Sequence, residues 1–389
     1  MEKIVLKFGG TSLRDEKSRA ALLNHVKKYK NNGYQIIVVV SAMGRAGEPY
    51  ATDSLISLLA NISEAMDPKK KDLIMSCGEI ISSAVIAHLF DVNGIPAEAL
   101  TGFQAGIYTN KTFNDSDILH IDTSKITRCL DDGKVVVVAG FQGITEDMEI
   151  TTLGRGGSDI TAVALGGYLN AKIVDIFTDV PGVAVIDPHI ISYTSYQKKI
   201  SYSNMYKLAC NGTKVIHPRA VSTAEKFNIP ICVRSTFCEN SGTLIFNYEN
   251  QNESIIGISI DKDYTYSKIE KTQENNITFP NNTSILHKDK EDFISLYYSN
   301  NNFIKNIEES MATIYKYPVT KIMMLYNSRL RDTIKTDLEN SFSEVKLSPL
   351  DIFWFDDNVT LFVHNNDISV FAEVLYKIYN GYSSHLSNI

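Results

Sequence analysis

The opening stretch of the chain constrains its fold most. Residues 3–8, "KIVLKF", read as a short buried strand. Gly9 and Gly10 break it, a helix is predicted from about Asp15 to Asn31, and "QIIVVV" at 35–40 is a second, wholly apolar strand. Leu22, Leu23, Val26 and Tyr29 recur at helical spacing, and Gly33 supplies the C-terminal stop. Two apolar strands joined through a helix run parallel, because antiparallel neighbours need only a tight turn. A parallel pair in turn needs helices on both faces of its sheet, so the start of the chain is a βαβ unit of an α/β domain.

The alternation continues. A helical stretch from Asp72 to Asn93 carries Ile80, Ile81, Val85, Ile86 and Leu89. "VVVVA" at 135–139 has the all-apolar character of a central parallel strand, "SDITAVALGGYL" at 158–169 is a helix, and "KIVDIF" at 172–177 is another strand. Beyond about Phe246 asparagine becomes dense (Asn247, Asn250, Asn252, Asn275, Asn276, Asn281, Asn282) and the elements become smaller: "IIGISI" at 255–260, "FISLYY" at 293–298, "KIMMLY" at 321–326, a helix from Arg329 to Phe342, a hairpin around Asp356-Asp357-Asn358 and a last helix over about 367–380. This βαββαβ rhythm predicts a separate α+β domain of two similar halves. The boundaries are drawn as 1–246 and 247–389, in keeping with a chain too long for one ordinary domain.

The formal net charge is −7, without a run of Lys and Arg, which argues against a nucleic-acid partner. There is no uninterrupted apolar run of membrane-spanning length, and the N-terminus "MEKIVLKFGG" lacks a signal core, so a cytoplasmic location is expected. The five cysteines are scattered and never spaced as CxxC, as in a reduced chain without a disulfide framework or zinc site.

Three clusters carry chemistry. Lys7-Phe8-Gly9-Gly10-Thr11-Ser12 follows the first strand. Paired glycines let backbone pass close to a phosphate, and the start of the following helix adds a favourable dipole. On its own this is also an ordinary strand-to-helix turn, and it is neither a P-loop nor a dinucleotide turn. Gly154-Arg155-Gly156-Gly157-Ser158-Asp159 precedes a helix. It reads as an anion nest with Ser158 as cap, Arg155 as a fork for a carboxylate and Asp159 as partner of an ammonium group or a lysine. The third, Phe177-Thr178-Asp179-Val180-Pro181-Gly182-Val183 followed by Asp187-Pro188, is alone no more than a good turn. All three are expected at the carboxyl ends of strands, where open parallel sheets bind ligands. Ser41 and Glu79 are further candidates. His217 reads as a structural histidine before a proline, and Cys77 as a small buried residue.

Taken together, "KFGGTS", "VVVSAMGR", "SCGE", "GFQG", "TLGRGGSD", "FTDVPGV" and "GTKVIHPRA", in this order, resemble the aspartokinases of the amino-acid kinase superfamily, especially those of Gram-positive bacteria, over roughly the first 245 residues. The resemblance implies an amino-acid-kinase-type α/β fold, a mostly parallel sheet sandwiched by helices, and transfer of a phosphoryl group from Mg-ATP to the side-chain carboxylate of L-aspartate. That reaction is the first step towards lysine, threonine, methionine and diaminopimelate. It implies that Lys7 bridges the phosphates, positioned by Asp159, with Phe8, Gly9, Gly10 and Ser41 along the phosphate path. Thr52, Glu79, Arg155, Gly156, Gly157 and Ser158 would hold aspartate, Arg155 on its α-carboxylate and Glu79 near its ammonium. Thr178, Asp179, Ala184, Asp187, His189 and Lys214 would hold ATP. His189 stands where the family commonly has arginine, which implies a weaker nucleotide contact. Mg²⁺ is expected on phosphates and water, without a protein cage.

The family's C-terminal part is usually a pair of ACT domains that bind an end-product amino acid and dimerise. Here "KIMMLYNSRLRD" has no glycine where a glycine-rich effector loop is expected. The resemblance therefore implies an ACT-like region, degenerate as an effector site, that joins the chain into a homodimer or higher oligomer. The rival readings are another kinase of the superfamily with a different acceptor and a catalytically dead amino-acid sensor. The sensor reading calls for loss of Lys7, Arg155 or Asp159, and all three are present. A dehydrogenase is disfavoured, since no dinucleotide fingerprint follows any strand.

Overall fold

The fold, obtained as a computed structural model, describes residues 1–238, 242–248, 254–270, 286–289, 293–299 and 313–386. The chain divides into two compact units. One comprises Met1–Val183, Tyr196–Tyr206 and Lys214–Glu249; the other comprises Ala184–Ser195, Lys207–Thr213 and Asn250–Ile389.

The first unit begins with β1 (Lys3–Phe8), α1 (Glu16–Asn31), β2 (Gln35–Val40), α2 (Thr52–Ala60), α3 (Pro68–Val92) and β3 (Ala97–Leu100). Then follow β4 (Ile107–Thr109), β5 (Ile118–Ile121), α4 (Ser124–Asp131), β6 (Val135–Ala139), β7 (Gln142–Ile144) and β8 (Ile150–Thr152). After α5 (Gly157–Tyr168) and β9 (Val174–Thr178) come β10 (Lys199–Ser201), α6 (Tyr202–Cys210), α7 (Pro218–Phe227), β11 (Ile231–Ser235) and β12 (Thr243–Phe246). Eight strands form one sheet in the order β10-β12-β11-β9-β1-β2-β6-β3. Every neighbouring pair is parallel except β11 with β12. A smaller sheet, β5-β4-β7-β8, stands beside it.

The reason lies in the side chains. β2 and β6 are valine runs buried on both faces, as a central parallel strand requires. Along β1, Ile4, Leu6 and Phe8 pack with Leu22 and Val26 of α1. Each such side chain contributes roughly 1.5–3 kcal/mol by leaving water. Asp15 caps α1 by accepting from the Ser18 N–H at 2.8 Å. The long helix α3 begins a turn before the predicted Asp72, because Asp67 caps it and Pro68 takes its first position. It is apolar and long enough to cross a membrane, the single such helix among the described residues, yet half of its most apolar window is buried. Ile86, Ala87 and Phe90 lie in the same core as β1 and β2. All five cysteines are free thiols.

The second unit contains β13 (Ile255–Glu270), β14 (Leu286–Asp289), β15 (Phe293–Tyr298), β16 (Thr313–Tyr326), α8 (Arg331–Glu344), β17 (Asp351–Trp354), β18 (Asn358–His364) and α9 (Ile368–Leu386). Its sheet runs β14-β15-β13-β16-β18-β17, with every pair antiparallel. Alternate residues Ile258, Ile260, Ile322, Met324, Leu361 and Val363 share a core with Ile334 and Leu338 of α8 and Phe371 and Leu375 of α9. The short strands predicted at 255–260 and 321–326 are the ends of two much longer ones. Alternation carries on through Tyr264 and Tyr266 after a bulge between Asp261 and Tyr264. Pro318 is tolerated in β16 because the pairing with β18 stops at Val319. The predicted rhythm is visible as β16-α8-β17-β18-α9; its first half, including the asparagine-rich stretch at 275–282, falls partly outside the described residues.

Candidate active site

β1 lies between β9 and β2, and its alternation sends Lys7 to the face opposite Phe8. There the Lys7 ammonium pairs with the Asp159 carboxylate of α5 at 2.7 Å, both side chains largely screened from water. Lys7 and Asp159 both line an open cleft of about 690 Å³. Phe8 points the other way and stacks on Phe177, with ring centroids 4.6 Å apart.

The cleft is built by close backbone approaches. Gly10 sits where a Cβ would fall 2.6 Å from the Ala42 carbonyl and 2.7 Å from that of Gly44, so the turn after β1 and the loop after β2 interlock only through glycine. Gly78 does the same for α3, since a Cβ there would fall 2.7 Å from the Ala42 side chain. That approach brings Glu79 into the cleft wall. One carboxylate oxygen accepts from the Ala42 N–H at 2.9 Å, and the other is buried without a hydrogen-bond partner. Desolvation pushes the Glu79 pKa up to about 8, against smaller opposing effects of the Ala42 N–H and the Lys7 charge.

The opposite wall is the turn before α5. Gly154 and Gly156 have left-handed backbone, with φ of 71° and 72°, and Gly156 rather than Ser158 is the N-cap. Ser158 lies inside the helix, which corrects the capping role expected of it, because the left-handed glycine has already turned the chain. Arg155 is exposed, lines the cleft, and makes no hydrogen bond or ion pair among the described residues. The helix N-terminus at Gly157 and Ser158 adds its positive dipole end to the same wall. Phe141, a cleft residue, holds φ of 70°, a conformation costly for a bulky side chain; its N–H donates to Thr161 at 3.0 Å.

Of the residues singled out in the sequence, Lys7, Gly10, Ser41, Thr52, Glu79, Arg155, Gly156, Gly157, Ser158 and Asp159 line this one cleft. Phe8, Gly9, Thr178, Asp179 and Lys214 belong to the same unit but not to the cleft wall. Asp179 ion-pairs with Arg45 at 2.9 Å. Ala184, Asp187 and His189 lie in the segment Ala184–Ser195, which belongs to the second unit. Val185 there bonds β13, its carbonyl accepting from Ile258 at 2.7 Å. Two expectations change. The glycine turn after β1 leads into a short 3₁₀ turn, Gly10–Ser12, and α1 starts at Glu16 with its own Asp15 cap, so the dipole at the cleft is that of α5. The loop carrying Arg155 follows β8 of the small sheet, not a strand of the large one.

Sequence reasoning passed over Arg45, Lys71, Asn114 and Phe141, which also line the cleft. Arg45 stood inside the quoted "VVVSAMGR", and its distance from the strand end was the available signal. Asp72 was also missed. It is fully buried in α3 and accepts from the Asn114 N–H, the Thr152 N–H and the Thr152 hydroxyl. Burial raises its pKa.

Four cations, Lys7, Arg45, Lys71 and Arg155, and a helix N-terminus thus face one cleft beside a parallel sheet. Such a site is suited to bringing anions together, and the fold and site together define an amino acid kinase. Residues 2–235 match the amino acid kinase family. The chain is 44% identical over 276 residues to aspartokinase 1 of Bacillus subtilis, covering 69% of this chain and 68% of that protein. It is 42% identical over 264 residues to the aspartokinase of Geobacillus stearothermophilus, covering 67% of this chain and 64% of the relative. Among solved structures it resembles aspartokinase III of E. coli in complex with aspartate and ADP, with TM-score 0.78 at 20% identity, covering 97% of this chain and 99% of that one. It also resembles aspartate kinase from Synechocystis, with TM-score 0.57 at 26% identity, covering 97% of this chain and 69% of that one. The chain belongs to the aspartokinases, phosphotransferases of the amino acid kinase family.

Proposed function

We propose that this chain transfers the γ-phosphoryl group of ATP to the side-chain carboxylate of L-aspartate, giving 4-phospho-L-aspartate and ADP, the first step towards lysine, threonine, methionine and diaminopimelate, in the cytoplasm. The observation that carries this reading is the screened Lys7–Asp159 pair facing Arg155 and Glu79 across one cleft.

A side-chain carboxylate oxygen forms the new bond to phosphorus while the bond from phosphorus to the β,γ-bridging oxygen breaks. The electron pair leaves with ADP and no proton moves. What the protein must supply is positioning and neutral surroundings for converging negative charge. Lys7 meets the transferring oxygens, and Asp159 keeps its ammonium aimed. Arg155, which has no hydrogen bond or ion pair among the described residues, forks onto the α-carboxylate. The unpartnered oxygen of Glu79 takes the amino group, with Thr52 and the backbone of Gly156, Gly157 and Ser158 around the amino acid. Gly10 and Ser41 border the phosphate path; the parts given to Phe8 and Gly9, which do not line the cleft, rest on the resemblance. The nucleotide roles of Thr178, Asp179, Ala184, Asp187, His189 and Lys214 rest on the resemblance, as does a weaker contact at His189.

Among the described residues no group of three acidic, histidine or cysteine side chains could hold a metal. This donor set fits a Mg²⁺ bound through phosphates and water, which would neutralise phosphate charge. The second unit reads as an ACT-like region that joins the chain into a homodimer or larger assembly and has lost its effector loop. Inhibition by millimolar lysine would overturn the latter point. The substrate reading is tested by ADP release with aspartate, glutamate, carbamate and UMP offered singly. Aspartate alone should support turnover, and a preference for another acceptor would refute the proposal.

A further inference from the structure

His217, Pro218 and Arg219 of the "KVIHPRA" motif line no part of the cleft. They nevertheless belong to a hydrogen-bonded knot beside it. His217 caps α7, its Nδ1 accepting from the Arg219 N–H at 3.3 Å, and Pro218 takes the first helical position. This sends the Arg219 side chain under the glycine turn. One terminal nitrogen donates to the Asp115 carboxylate at 2.7 Å and the Leu153 carbonyl at 2.8 Å; the other donates to the Ser116 carbonyl at 2.8 Å and the Asp117 carboxylate at 2.7 Å. The guanidinium thereby joins three segments: α7, the loop at 114–117, and the chain at Leu153.

The last two of these segments lead into the cleft. Leu153 is pinned at both ends, its N–H on the Phe141 carbonyl at 2.9 Å and its own carbonyl on Arg219, and Arg155 is two residues further on. Asn114, beside Asp115, lines the cleft. The two left-handed glycines fit only against this knot. A Cβ on Gly154 would stand 2.6 Å from the Asp115 carboxylate, and one on Gly156 would overlap the His217 side chain. A surface ion pair alone contributes little. A planar fork that holds two carbonyls and two carboxylates at once fixes geometry, which lysine cannot reproduce.

We propose that Arg219 is a positioning residue that sets the Arg155 loop for the acceptor amino acid. The inference rests on the reading of the cleft as an aspartate site. It assigns to Arg219 control over amino-acid binding with little effect on nucleotide binding, although Arg219 touches neither.

The test uses the full chain and the variants Arg219→Ala, Arg219→Lys and Asp117→Asn, with KM for aspartate, KM for ATP and kcat measured beside thermal unfolding. Displacement of a binding group by an ångström costs up to about 100-fold. Arg219→Ala should raise KM for aspartate about tenfold or more and leave KM for ATP within about twofold, with a partial effect in Arg219→Lys. Asp117→Asn removes one contact, keeps the fork, and should shift KM for aspartate in the same direction by a smaller factor; it serves if Arg219→Ala does not fold. Equal rises in both KM values, or folded variants with unchanged KM for aspartate, would overturn the inference. An inactive wild type would instead refute the substrate reading.

Discussion

Glu79 offers a test in which the magnitude follows from the structure. With one carboxylate oxygen on the Ala42 N–H and the other buried and unpartnered, its pKa rises from 4.5 to about 8 in the ligand-free chain. Receiving an ammonium group requires the ionised form. The competent fraction is then about 1% at pH 6, about 10% at pH 7 and about half at pH 8, and apparent affinity scales with that fraction. KM for aspartate should therefore fall about fiftyfold between about pH 6 and about pH 8 and level off above it. Aspartate keeps its own charges across that window. Glu79→Gln should raise KM at pH 8 and abolish the slope. The assay is ADP release at saturating ATP. A wild-type KM for aspartate that is flat across the window, or the same slope in Glu79→Gln, would refute the reasoning. The same shift makes a stability statement. An acid whose pKa is raised on folding favours the folded state fully below its unfolded value of 4.5 and loses that contribution as pH climbs to about 8. The ligand-free wild type should lose up to about 1.4 kcal/mol per pH unit through this group, and Glu79→Gln should not.

Other outcomes follow. Asp159→Asn removes the carboxylate that aims Lys7 and should lower kcat by about 10- to 1000-fold, and it should lower the unfolding temperature too because the screened Lys7 ammonium loses its partner, measured by turnover beside scanning calorimetry. Asp72→Ala leaves the Asn114 and Thr152 donors unmatched in the interior and should cost about 2–4 kcal/mol in urea unfolding. Gly10→Ala should destabilise the chain and depress activity together, because backbone carbonyls of the neighbouring loop occupy the space of the new methyl group. Asp179→Asn, which loses an exposed pair with Arg45 and weakens an exposed hydrogen bond from the Thr178 hydroxyl, should change stability by less than about 1 kcal/mol.

Much of this was legible in the residues because it depends on local rules. Valine runs announced the parallel strands, whereas Phe8, expected beside Lys7 on the phosphate path, is turned to the opposite face by the alternation of β1. The joining of Lys7, Arg155 and Asp159 with Glu79, which lies inside α3, came from the resemblance of the motifs to the family rather than from local rules. What stayed hidden depends on tertiary contact. Asp72 was read only as the first residue of a helix, whereas β8 and the 114 loop close over it and take its carboxylate as an acceptor. Ser158 looked like a cap because Gly156 shows its left-handed backbone only in the fold. The small sheet escaped notice because its strands are three or four residues long and carry little periodicity. The long strands β13 and β16 were cut short at a bulge and at Pro318, features that end a strand when read alone and do not when a neighbour pairs across them.

The central claim is that Lys7 bridges phosphates during transfer to aspartate. The most direct measurement traps the acyl phosphate with hydroxylamine, following ATP- and Mg²⁺-dependent aspartyl hydroxamate in the wild type beside Lys7→Ala. Hydroxamate from the wild type with aspartate, falling by about 100-fold or more in a folded Lys7→Ala variant, is the expected result. No hydroxamate from a folded, ATP-binding wild type, or an undiminished signal from Lys7→Ala, would contradict the account.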